Sequence, residues 1–184
     1  MRWGTPGPTL RASLSAIVLV AACGGRDVGS GTGAWQFTVD TARSETDDSA
    51  HETSSLRTVG KEHPEGAAGA SAVILSFDCF GDKAITTILT DQALRQGTVE
   101  TRLTIDARSP RRIPGFAGTT PSGGQVVLTI PQDSMLALLS GHRRVRIEYA
   151  DGAGSSRTIA EFPVAGLEKR RAQFSAACAK TGAR

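Results

Sequence analysis

Ala72-Val73-Ile74-Leu75-Ser76-Phe77-Asp78-Cys79 sets Val73, Leu75, Phe77 and Cys79 on one face, a period of two that belongs to a β-strand. Ile74 also reads as buried, which makes this the central strand of the chain. The same period recurs on both sides of it. Trp35, Phe37 and Val39 point one way and Gln36 and Thr38 the other. Val99, Thr101, Leu103 and Ile105 turn inward with Glu100, Arg102 and Thr104 outward, and Val145, Ile147 and Tyr149 turn inward with Arg144, Arg146 and Glu148 outward. Residues 56–59, 84–89, 125–130 and 157–164 read as further strands, with turns at Gly81-Asp82 and at Asp151-Gly152-Ala153-Gly154.

Two segments change the period. Met135, Leu136, Leu138 and Leu139 cluster as on a short amphipathic helix over 131–140, with Asp133 as N-cap and Gly141 as the stop. Residues 166–180 read as a closing helix with Leu167, Phe174, Ala177 and Cys178 on one stripe. Residues 61–69 read as a loop, and residues 110–124, with three prolines and four glycines, as irregular beyond a short edge piece. The expected fold is mainly β: an antiparallel β-sandwich or open barrel with a short internal helix and a C-terminal helix.

The N-terminus addresses location. Arg2 and Arg11 form a positive region, Leu14 to Val20 an apolar one, and Ala21-Ala22 supply the small residues of a cleavage site. The run is shorter than the roughly 20 apolar residues of a membrane span and is broken by Ser13 and Ser15. Val20-Ala21-Ala22-Cys23 resembles the lipobox of bacterial lipoproteins, which implies a signal peptide at 1–22 and acylation of Cys23. Two or three acyl chains, at about 0.8 kcal/mol per buried methylene, hold a protein on a membrane. Gly24 after that cysteine resembles the outer-membrane sorting pattern, so a periplasm-facing outer-membrane lipoprotein is expected. Residues 24–33 are glycine-rich and read as a tether, residues 34–180 as one β-rich domain and 181–184 as a tail.

The formal charge of +3 includes Arg2 and Arg11; without them the side-chain charge is near +1. That balance gives no reason to expect a nucleic-acid partner. With Cys23 given to lipid, Cys79 and Cys178 remain, and two thiols in an oxidising compartment most often form a structural disulfide. A metal pair or a catalytic thiol are the other readings, but neither cysteine has a neighbouring histidine and they form no CxxC.

The order of features is similar to the VasI/TagO-type family of envelope proteins associated with type VI secretion. Trp35 and Val39, Ser44 with Asp47-Asp48-Ser49, and the apolar strand ending in Cys79 carry the first half of the likeness. Arg102 with Ile105-Asp106, the short helix before Arg144-Val145-Arg146-Ile147, Phe162 with Gly166-Leu167, and Cys178 carry the second. The resemblance implies an envelope accessory protein and brings no catalytic residues with it.

Two clusters are candidate sites. Asp47 and Asp48, flanked by Glu45 and Glu52, could offer oxygens to a hard cation, but they lack the spacing and turn glycine of a calcium loop and read better as solvated turn charges. Arg108, Arg111 and Arg112, with Arg144 and Arg146, could hold carboxylate or phosphate oxygens if the fold brings them together. No Gly-x-Ser-x-Gly elbow, phosphate loop or paired histidine is present. The expectation is therefore no enzyme and no cofactor. The chain is read as a lipid-anchored binding protein with an envelope protein as partner, contacting it through residues 108–124; a small-ligand or cation carrier is the alternative.

Overall fold

The computed structural model describes residues 35–43, 50–80, 83–150 and 157–181. Nine strands follow one another as β1 (Gln36–Arg43), β2 (Ala50–Pro64), β3 (Ser71–Phe80), β4 (Lys83–Thr90), β5 (Gly97–Ile105), β6 (Arg111–Thr120), β7 (Gly123–Leu128), β8 (Arg144–Ala150) and β9 (Arg157–Pro163). Helix α1 (Gln132–Leu139) joins β7 to β8, and α2 (Leu167–Thr181) follows β9. The sheet order is β1-β2-β3-β4-β7-β6-β5-β8-β9, and β9 returns to pair with β2. Eight antiparallel strands thus close into a barrel, with β1 as an extra strand on β2.

Closure depends on β2 using one edge twice. Its residues Ala50 to Arg57 pair with β1, and Lys61 to Pro64 pair with Thr158 to Glu161 of β9. The handover falls at Gly60, where a Cβ would stand 2.2 Å from the Glu161 carbonyl oxygen. Only a glycine allows the two backbones to approach that closely. The sequence expectation covered a sandwich or an open barrel; this contact is where the sheet becomes a closed one.

The inward faces follow the alternation. Val73, Leu75, Phe77 and Cys79 are buried, as are Val99, Thr101, Leu103 and Ile105, and Val145, Ile147 and Tyr149. An eight-stranded barrel is just wide enough for such side chains to fill. Met135, Leu136 and Leu139 of α1 and Leu167 and Phe174 of α2 join the same core. The Gln132 amide nitrogen donates to the carbonyls of Asp78 (3.2 Å) and Ile85 (2.9 Å), fixing the start of α1 beside the β3–β4 hairpin. The Cys79 and Cys178 sulfurs lie at disulfide distance, 2.02 Å, which ties α2 to the end of β3.

Four local expectations are corrected. Residues 110–124 are no loop: Arg111–Thr120 is a ten-residue strand paired on both sides, and the Pro114 carbonyl accepts from both the backbone N–H (3.0 Å) and the hydroxyl (2.8 Å) of Thr129. The strand expected at 56–59 spans fifteen residues, because its inward positions include Ser54, Thr58 and Glu62, which hide the apolar period. The loop expected at 61–69 is strand as far as Pro64. Asp133 is not the N-cap of α1; Pro131 occupies that position, no side chain caps it, and Asp133 sits in the first turn. Gly141, at φ +78°, ends α1 as expected. The signal segment, Cys23, the tether, Asp47, Asp48 and the turns at 81–82 and 151–154 lie outside the described residues.

Candidate functional site: an arginine–glutamate face

The outward positions of β5, β6, β8 and β9 gather Glu100, Arg102, Arg112, Arg146, Glu148 and Arg157 on one side of the barrel. Arg102 and Arg112 are direct cross-strand partners, and Arg102 faces Glu148 on its other side. Glu100 Oε1 serves both arginines, 3.4 Å from Arg102 Nε and 3.5 Å from Arg112 Nε. Glu148 likewise serves two, with Arg146 Nε at 3.1 Å and Arg157 Nη1 at 3.7 Å. Four guanidiniums thus share two carboxylates. Between them lies an open groove of about 270 Å³, lined by both glutamates and by Arg102, Arg112 and Arg157.

The Glu100 pairs are solvent-exposed and the Glu148 pairs partly so, and surface pairs of this kind contribute little to stability, about 0–1 kcal/mol. Like charges placed directly opposite in a sheet destabilise it. An anion seated between Arg102 and Arg112 would relieve that repulsion, and guanidinium forks match carboxylate and phosphate oxygens in pairs.

The sequence candidates divide. Arg112 and Arg146 belong to this face. Arg108 lies in the turn after β5, and Arg111 opens β6 opposite Leu103; both are exposed and make no ion pair among the described residues. Arg144 opens β8 opposite Pro163, beside a second groove lined by Val59, Lys61 and Glu161. The α2 arginines are engaged elsewhere: Arg171 donates to Ser140 Oγ (3.2 Å) and Arg170 to Gln173 (3.3 Å). Arg102 and Arg157 complete the face but were not among the candidates. Arg102 was already placed outward by alternation; nothing local in the sequence marks Arg157, whose role comes from the β8–β9 pairing.

Two other polar clusters have structural roles. Asp106, at φ +50°, accepts from His142 Nδ1 (2.8 Å) and from the backbone N–H groups of Arg143 (3.2 Å) and Arg144 (3.0 Å). The His142 bond, with the Arg144 and Arg143 amides adding to it, holds the Asp106 carboxyl below its ordinary pKa. Inside the barrel, Glu62 is fully buried and accepts from the hydroxyls of Tyr149 (2.5 Å), Ser71 (3.4 Å) and Thr90. Burial, then the bond to Glu62, pushes the Tyr149 phenol above its ordinary value. Sequence reading missed this cluster because residues 61–69 read as a loop. Among the described residues no group of three or more His, Cys, Asp or Glu side chains could hold a metal ion. No family model, curated protein or solved structure matches this chain.

Proposed function

We propose that the chain is a lipid-anchored, non-catalytic accessory protein of the bacterial envelope, of the kind associated with type VI secretion, that binds an anionic envelope protein through its arginine–glutamate face. The lipobox-like Cys23 supports the anchor, and the apposed, half-neutralised Arg102–Arg112 pair carries the binding reading. A carrier using the lumen is disfavoured, since core side chains fill the barrel.

Cross-linking in the native envelope, read by mass spectrometry, tests it. One defined partner should be recovered from the wild type, and Arg102→Ala with Arg112→Ala should abolish that recovery. The same pair of substitutions should leave the melting temperature unchanged or slightly raised, because it removes a repulsion. Parallel loss of recovery and stability would make the face structural.

A further inference from the structure

The outer surface of β3, β4 and β7, with the Phe116 part of β6, differs in kind from the arginine–glutamate face. Phe80 (45% exposed), Phe116 (43%) and Ile85 (36%) stand out from it, with Val127 half-buried beside Phe116 and Leu89 half-buried one row further on. The register makes these side chains neighbours: Ile85 faces Asp78 two residues from Phe80, and Thr87, Val127 and Phe116 lie in one cross-strand row. Asp78 is the one acid in the four strands. Its side chain is 9% exposed and accepts from Ser55 Oγ (2.6 Å) and Arg57 Nη2 (3.5 Å), so it presents no free negative charge. Lys83, the direct partner of Phe80, stands at the rim of the patch.

An apolar strip with a lysine at its rim and no free acid among the described residues of its strands has the chemistry that anionic phospholipid surfaces attract. The chain preceding it limits how far the domain can move away. Cys23 and Trp35 are twelve residues apart, a reach of at most about 40 Å, comparable to the width of a domain this size. The ring order adds direction. Counted around the eight strands, β8 lies four strands from β4, on the opposite side of the barrel.

We propose, on the lipid-anchor reading above, that the outer face of β3, β4 and β7, with Phe116 of β6, rests on the anionic membrane surface to which Cys23 tethers the chain. Phe80, Ile85 and Phe116 enter the headgroup region, which leaves Arg146, Glu148 and Arg157 of the arginine–glutamate face, on β8 and β9, on the side turned away from the bilayer.

The test reconstitutes the mature chain into phosphatidylethanolamine–phosphatidylglycerol vesicles carrying brominated acyl chains. It compares tryptophan emission from Ile85→Trp on β4 with that from Ala150→Trp on β8, four strands away around the ring; the buried Trp35 is common to both. Quenching should be several-fold greater for Ile85→Trp. Adding Phe80→Asp and Phe116→Asp, both at exposed positions, should remove the difference. Equal quenching of the two reporters on a chain whose Cys23 peptide carries acyl mass overturns the docking and leaves the anchor standing. A lipid-independent dimer captured through this face also overturns it, assigning the strip to a second copy. If the Cys23 peptide carries no acyl group, the anchor reading fails by itself. The face is then judged by the same vesicles added to the free chain: selective quenching of Ile85→Trp upholds it and its absence overturns it.

Discussion

Gly60 shows how much one side chain can decide. A methyl group there must displace the Glu161 backbone or break the β2–β9 pairing, since the atom it meets first is the Glu161 carbonyl oxygen and the next is on the ring of the buried Phe162. Gly60→Ala is expected to cost about 1–3 kcal/mol or more, read as a lower denaturation midpoint. The interior carboxylate gives a second prediction. Tyr149→Phe leaves Glu62 Oε2 without its hydroxyl donor in a fully buried site and should cost about 1–3 kcal/mol. A loss within error would mean that another donor replaces the phenol. Asp106 gives a third, with a definite sign. Its folded pKa lies below the ordinary 3.8, so its bonds to His142 and the Arg143 and Arg144 amides stabilise the fold above that value. That stability is lost as pH falls through the lowered pKa. Asp106→Asn should therefore lower the melting temperature at neutral pH and flatten its fall on acidification below about pH 4.

At the scale of elements, legibility in the sequence followed what each strand buries. The central strand and those around Leu103 and Ile147 alternate apolar with polar, and the faces read from that alternation are the faces observed. Strand β2 buries Ser54, Thr58 and Glu62, so its inward face looks like a solvated one, and only its neighbours reveal its length. Strand β6 carries Pro114, Gly115 and Gly118, residues that punctuate chains far more often than they extend them. The arginine–glutamate face was legible in part: outward positions follow from alternation, but their convergence follows from strand order, which skips from β4 to β7 and from β5 to β8. The Cys79–Cys178 link belongs to this scale as well, fastening α2 to β3 across a separation of 99 residues. Reducing it should lower stability by up to about 4–5 kcal/mol in the chain-entropy account, seen as a reductant-dependent melting temperature. Thiol counting on the oxidised mature chain should find neither cysteine reactive.

The molecule as a whole is a barrel filled by apolar side chains, with one cluster of four arginines and two glutamates on its outer surface. That is the reverse of a membrane-spanning barrel, in which the outer band is apolar all round and the lumen polar. Both seams of this barrel also fix a schedule. Lys61 waits for Glu161 to close the ring, and Cys79 waits for Cys178 to lock it. A chain delivered N-terminus first therefore passes through most of its length with the Lys61–Pro64 edge of β2 open, and an open edge pairs with any strand that arrives. Contacts this far apart in sequence form slowly. The interval between the arrival of β2 and that of β9 is the period in which this protein is most exposed to mispairing, and it ends only when the last strand and helix are made.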